Sequence, residues 1–215
     1  MVPQASPVLP PRLLRSNGDQ LAVTEAGKHR GFASSLLVLI GLPGSGKSTA
    51  GRRLALKCGL PFFDSDEVIE QRLGCSIRAY FDTHGEEAFR DIETQVLDEL
   101  TQGSPAVLAT GGGAVLRPIN RQRLRERGTV VYLYAAPELL FRRLRRDTKR
   151  PLLQVADPLQ RLKQLHAARD PLYRECAHFV LDTQGLAQSL LVSRIAMQLE
   201  LASPQGPPRS QAKGG

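Results

Sequence analysis

With 215 residues, 41% hydrophobic and 23% charged, the chain has the size and balance of one globular domain with a sizeable core. No Trp, 5% aromatic residues and no apolar run near the ~18 residues of a membrane span exclude an aromatic base-stacking surface and a bilayer segment. The net charge of +8 comes partly from the termini and partly from residues 141–150, which hold six basic residues and one acid; that run fits a solvated helix face or a pocket for a polyanion.

In chain order, residues 1–33 scatter Pro3, Pro7, Pro10, Pro11, Gly18 and Gly31 among polar residues without a sustained period. They read as a flexible extension, and the start has no basic-then-apolar secretion signal. Residues 34–203 form the folded domain. Strands are predicted at 36–40, 61–63, 106–109, 129–134 and 177–181. They are short, largely apolar runs with little alternation, as in a parallel sheet covered on both faces. Helices are predicted at 47–58, 66–73, 86–100, 137–146 and 158–168, and a last one carries Leu191, Ile195 and Leu199 four apart. The alternation of strand and helix predicts an α/β domain of three layers. Residues 204–215 read as a disordered tail.

The first strand runs into Gly41-Leu-Pro-Gly-Ser-Gly-Lys-Ser-Thr49, which fits the phosphate-loop pattern G-x-x-x-x-G-K-[ST] at a strand–helix junction. Glycines bring backbone N–H groups close to phosphate oxygens, and the helix N-terminus adds its positive end. Lys47 then reaches the β- and γ-phosphates of a nucleoside triphosphate, and the Ser48 hydroxyl is a ligand for Mg²⁺. Asp64 and Asp66 follow the second strand, at the sheet end where open α/β folds bind ligands. An acid there can hold a metal's water shell, take a hydroxyl proton, or simply cap the next helix. After the third strand come Gly111, Gly112 and Gly113, where phosphate-loop ATPases commonly place a metal-binding Asp. Glu86, Arg90 and Glu93 share one helix face. Arg150 and Arg169 each stand in an arginine–proline context suited to folding over transferring phosphate.

Together the phosphate loop, Asp64-Ser-Asp66, Gly85-Glu-Glu-Ala-Phe-Arg-Asp-Ile-Glu93, the three glycines, Arg150-Pro-Leu-Leu and Arg169-Asp-Pro-Leu-Tyr173 resemble the shikimate kinase family in order and spacing, over about residues 35–200. The resemblance implies a phosphate-loop kinase fold with a five-stranded parallel sheet flanked by helices. It implies Mg²⁺-dependent transfer of the ATP γ-phosphoryl group to the 3-hydroxyl of shikimate, on the route to chorismate and aromatic amino acids. Carried over by position, Gly44, Ser45, Gly46, Lys47, Ser48 and Thr49 hold ATP. Ser48 and Asp64 serve the metal, Asp64 through water. Asp66 binds the reacting hydroxyl, as base or as orienting group. Arg90 and Arg169 grip the substrate carboxylate, Gly112 offers a backbone contact, and Phe81 and Phe89 wall the pocket. Arg150 belongs to a lid over the phosphates and Arg143 lies near the adenine. The loop after Asp182 leaves Gln184 and Gln188 both open as the base contact.

The physics agrees, since phosphoryl transfer needs positioning and charge neutralisation, which Lys47, Mg²⁺ and Arg150 supply. Catalysis is accordingly assigned to Lys47, Asp66 and Arg150. The expected partners are shikimate and ATP, without nucleic acid or membrane, the chain acting as a monomer in the cytoplasm. The three cysteines, Cys58, Cys75 and Cys176, lack metal-ligand spacing and suit a reducing compartment. His29, His84, His166 and His178 read as ordinary surface or satisfied residues. The alternatives are a related kinase, for example of gluconate, and a kinase-like ligand sensor. The paired arginines argue against the first. Intact Lys47, Ser48, Asp66 and Arg150 argue against the second.

Overall fold

The computed structural model describes residues 35–103, 105–144 and 155–202. The N-terminal extension, the C-terminal tail and Arg150 lie outside the described residues. The elements are β1 (Leu36–Ile40), α1 (Lys47–Cys58), β2 (Phe62–Asp64), α2 (Ser65–Leu73), α3 (Ile77–Thr101) and β3 (Val107–Ala109). There follow α4 (Pro118–Arg127), β4 (Gly128–Tyr134), α5 (Pro137–Leu144), α6 (Pro158–Cys176), β5 (Phe179–Asp182) and α7 (Gln188–Ala202).

All five strands are parallel, in the order β2-β3-β1-β4-β5. The apolar runs are continuous because helices cover both faces. Leu36, Val38 and Ile40 of β1, with Val130 and Tyr132 of β4, face a core closed by Leu97, Leu124, Leu140 and Leu162. Leu37 and Leu39, with Val131 and Leu133, face the opposite core of Leu54, Leu191 and Ile195. The two periods of the sequence, two along a strand and near four along a helix, thereby meet in each layer. The chain leaves β1 toward β3 and β2 on one side and returns to β4 and β5 on the other. That reversal opens a crevice at the carboxyl ends of β1 and β3, where such sheets bind ligands.

Three elements depart from the sequence reading. α3 starts at Ile77 rather than near 86, and Gly85 interrupts it with φ 79° and ψ 176°, a backbone open only to glycine without strain. α4 has no predicted counterpart. Of its two large apolar residues, Leu124 is buried and Ile119 is exposed, so no amphipathic stripe announces it. α6 continues through Pro171 to Cys176. The cap of α2 is Asp64, which accepts from the Asp66 N–H at 3.1 Å, so Asp66 falls inside the first helical turn.

Candidate active site

The phosphate loop turns tightly because Gly41, Gly44 and Gly46 all take positive φ, at 143°, 83° and 98°. The Lys47 amine folds back onto the loop and donates to the carbonyls of Gly41 at 2.8 Å and Leu42 at 3.1 Å. Beside it, Ser48 Oγ donates to Asp64 Oδ2 at 2.6 Å. The strand end at β2 and the first turn of α1 thus bring a hydroxyl and a carboxylate oxygen to one point. Among the described residues no cluster of three or more His, Cys, Asp or Glu could hold a metal ion by itself.

On the far side of the crevice, the three-glycine turn after β3 is shaped by what touches it. A Cβ on Gly111 would overlap Asp66 Oδ1, one on Gly112 would stand 2.8 Å from Pro43 Cδ, and one on Gly113 would overlap the Arg90 guanidinium. A side chain at any of the three would have to displace one of these neighbours, so the glycines let Asp66, Pro43 and Arg90 close in on the turn. The turn is tied to α2 by the Gly111 N–H, which donates to the buried Ser65 Oγ at 2.9 Å. It is tied to α6 by Arg169 Nη1 and Tyr173 Oη, which both donate to the Gly112 carbonyl, at 3.1 and 2.5 Å.

Charge in this pocket is arranged rather than merely present. Burial, reinforced by the neighbouring Asp64 and opposed by Lys47, pushes the Asp66 carboxyl up to about 6. A carboxyl poised there can exchange a proton near neutral pH. Arg90 is only 8% exposed. It donates through Nη1 to Glu93 Oε2 at 2.6 Å and through Nη2 to Glu86 Oε1 at 2.9 Å. Its guanidinium lies 5.1 Å from the Phe89 ring centroid and 5.8 Å from that of Phe81. Glu93 is 1% exposed, and burial raises its carboxyl against the pull of Arg90. A lone buried carboxylate would cost several kcal/mol; here it is the inner anchor of Arg90.

On the third side, Arg143 Nη1 donates to Gly44 O at 3.4 Å and Thr183 Oγ1 at 3.2 Å, while its Nη2 donates to Thr183 O at 3.1 Å. α5 is thereby latched to the phosphate loop and to the loop after β5. Of the two open glutamines, Gln184 is exposed. Gln188 Nε2 instead lies 3.1 Å from where a Cβ on Gly46 would stand.

The structure therefore brings together Lys47, Ser48, Asp64, Asp66, Arg90, Gly112 and Arg169 around one crevice, with Arg143 at its edge. Sequence reasoning assigned no role to Ser65, Glu93 or Tyr173. Glu93 was visible as a partner of Arg90 by spacing, but its burial was not.

A phosphate loop at the switch point of a parallel sheet, opposite a pocket with the half-buried Asp66 carboxyl and two arginines, defines a phosphate-loop kinase of a small molecule. The model of the family described as SKI: Shikimate kinase matches residues 43–200. The chain belongs to the shikimate kinase family. A shikimate kinase of Paracidovorax citrulli is 63% identical over 172 residues, covering 79% of this chain and 94% of that one. A solved shikimate kinase of Acinetobacter baumannii in complex with shikimate superposes with a TM-score of 0.77 at 45% identity, covering 82% of this chain and 98% of that one. A gluconokinase of Sinorhizobium meliloti shares the fold alone, with a TM-score of 0.52 at 19% identity over 80% of this chain and 94% of that one.

Proposed function

We propose that this chain transfers the γ-phosphoryl group of ATP to the 3-hydroxyl of shikimate, giving shikimate 3-phosphate and ADP. The observation that carries the reading is the arrangement across the three-glycine turn, with the half-buried Asp66 carboxyl on one side and two guanidinium groups on the other. That pocket is complementary to a rigid acceptor bearing a hydroxyl at one end and a carboxylate at the other. Planar guanidinium groups match a carboxylate better than ammonium groups do.

In this reading Gly44 to Thr49 cradle the phosphates, with Lys47 swinging from its carbonyl partners to the β- and γ-oxygens. Asp66 takes the proton of the 3-hydroxyl as its oxygen bonds to the γ-phosphorus, and the bond to the β-phosphate oxygen breaks. Arg90 and Arg169 hold the acceptor carboxylate, with Gly112 supplying a backbone contact and Phe81 and Phe89 a wall. Glu93 keeps Arg90 charged and aimed. Arg143 borders the base, and Arg150 supplies positive charge to the transferring phosphoryl group.

Ser48 and Asp64 fit Mg²⁺, since they present hard oxygen donors 2.6 Å apart and Mg²⁺ binds through few protein oxygens while keeping several waters. When bound, Mg²⁺ neutralises charge on the β- and γ-phosphates. No described helix is long and apolar enough to cross a membrane; we assign the enzyme to the cytoplasm. We assign the enzyme as a monomer, with residues 34–203 as the catalytic domain.

The test is a coupled ADP-release assay with ATP and Mg²⁺, comparing shikimate, gluconate and no acceptor. Strong dependence on shikimate is expected. Equal rates with all three would refute the reading.

A further inference from the structure

Helix α6 carries Pro171 two residues after Arg169, in the stretch that faces the Gly112 carbonyl. A proline there deletes the backbone hydrogen bond to the carbonyl of Ala167 and crowds the preceding turn. The helix backbone alone therefore fixes Arg169 less firmly than an unbroken helix would. The compensation begins at the next residue. Asp170 Oδ1 accepts from Tyr132 Oη at 2.9 Å, and Asp170 Oδ2 accepts from Arg174 Nε at 2.7 Å. His166 Nε2 lies 3.7 Å from the same Oδ1, too far for a hydrogen bond, so that oxygen belongs to Tyr132.

Tyr132 is itself immobile. It is 1% exposed, lies on β4 beside the central strand β1 and is in register with Ile40, the last residue of β1 before the phosphate loop. Its ring stacks on Tyr173 with centroids 4.9 Å apart, and the Tyr173 hydroxyl shares the Gly112 carbonyl with Arg169. Burial and the Asp170 carboxylate both push the Tyr132 phenol upward, so it remains a donor.

We propose that Tyr132 and Asp170 are positioning residues for Arg169. One tyrosine on the sheet fixes the substrate-carboxylate clamp twice, through Asp170 on the helix and through the ring of Tyr173. The inference rests on the acceptor reading above and adds to it the residues that set how tightly the acceptor is held. Arg174 is half-exposed, so its ion pair with Asp170 contributes little by comparison.

The experiment measures shikimate KM, ATP KM, kcat and melting temperature for the parent, Tyr132→Phe, Asp170→Ala, Asp170→Asn and the Tyr132→Phe/Asp170→Ala double variant. Tyr132→Phe and Asp170→Ala each raise shikimate KM about tenfold, since each removes the part-buried hydrogen bond from Tyr132 to the Asp170 carboxylate. ATP KM stays within twofold. Asp170→Asn keeps an oxygen for the Tyr132 hydroxyl and restores shikimate KM to near the parent value. The double variant is no worse than either single variant, because both remove one link. Tyr132→Phe loses a single oxygen and keeps the ring stack, so it folds even where Asp170→Ala does not. An unchanged shikimate KM in Tyr132→Phe overturns the proposal, as does an equal rise in both KM values. A parent whose ADP release ignores shikimate overturns the proposed function, and this inference falls with it.

Discussion

Two arginine-rich regions of the molecule use the same side chain in opposite ways. Around the three-glycine turn, Arg90 and Arg169 reach the crevice while their backs rest on Glu93 and on the Gly112 carbonyl. In α4 and at Arg117 just before it, the arginines turn away from the crevice and join neighbouring helices. Arg117 pairs with Asp91 and Glu87, and Arg127 and Arg123 share Asp98. Arg121 meets Glu175, and Arg125 Nη1 donates to the carbonyls of Glu175, Cys176 and Ala177 at the end of α6. The last contact caps α6 with positive charge where its dipole is negative. A basic balance of +8 is therefore no measure of anion binding by itself. What separates the two groups is whether the guanidinium faces a crevice or a helix seam.

That contrast predicts a graded set of losses. Lys47→Ala should nearly abolish turnover, by about 10³-fold or more, since the group facing the transferring phosphate is removed; single-turnover rates check it, and retention of a tenth of the parent rate would sink the assignment.

Asp66→Asn should lose turnover comparably, yet melt higher. The native carboxyl lies at about 6 against 3.8 for the free group. Its ionised form is thus disfavoured in the fold, and ionisation costs stability above pH 6. That cost disappears as pH falls from 6 toward 4, where the native state holds the proton and the unfolded chain does not. At pH 7.5 the Asn variant should gain roughly 2–3 kcal/mol, read by denaturant melts. In the parent, kcat/KM should fall about tenfold per pH unit below about 6. A profile flat down to pH 5 would contradict the role.

Arg90→Ala should raise shikimate KM, spare ATP KM and destabilise the fold by about 3 kcal/mol, because Glu93 is left buried without its partner. Glu93→Gln in the same background should recover most of the stability and none of the affinity. Smallest is Arg125→Ala in α4. It should lower the melting temperature by about 2–4 °C, for roughly 1 kcal/mol, with both KM values unchanged. A shift in shikimate KM there would erase the distinction between the two regions.

The same contrast explains what the sequence could tell. The crevice was legible because phosphate binding demands local patterns. Gly41 to Thr49 form one loop and the first turn of α1, Asp64 and Asp66 stand two residues apart, and at each glycine of 111–113 a Cβ would crowd a neighbouring side chain. α4 was not legible, because its helix is specified by partners on α3 and α6 that lie about 20 to 50 residues away in sequence. Glu93 fell between these cases. Spacing paired it with Arg90, but only the tertiary fold decides that this pair is buried while Arg78 and Asp82, four apart on the same helix, remain exposed. The reading of α6 stopped at 168, whereas the helix runs through Pro171 to Cys176, where Asp170 is tied to the sheet by the Tyr132 hydroxyl.

The most direct test of the account is to identify the product. Incubation of the chain with ATP, Mg²⁺ and shikimate, followed by two-dimensional phosphorus–proton NMR, should show a new phosphate ester coupled to the proton on carbon 3 of the ring, appearing in step with ADP. Inorganic phosphate without an ester, or an ester on another hydroxyl, would contradict the assignment of Asp66 and the two arginines to that acceptor.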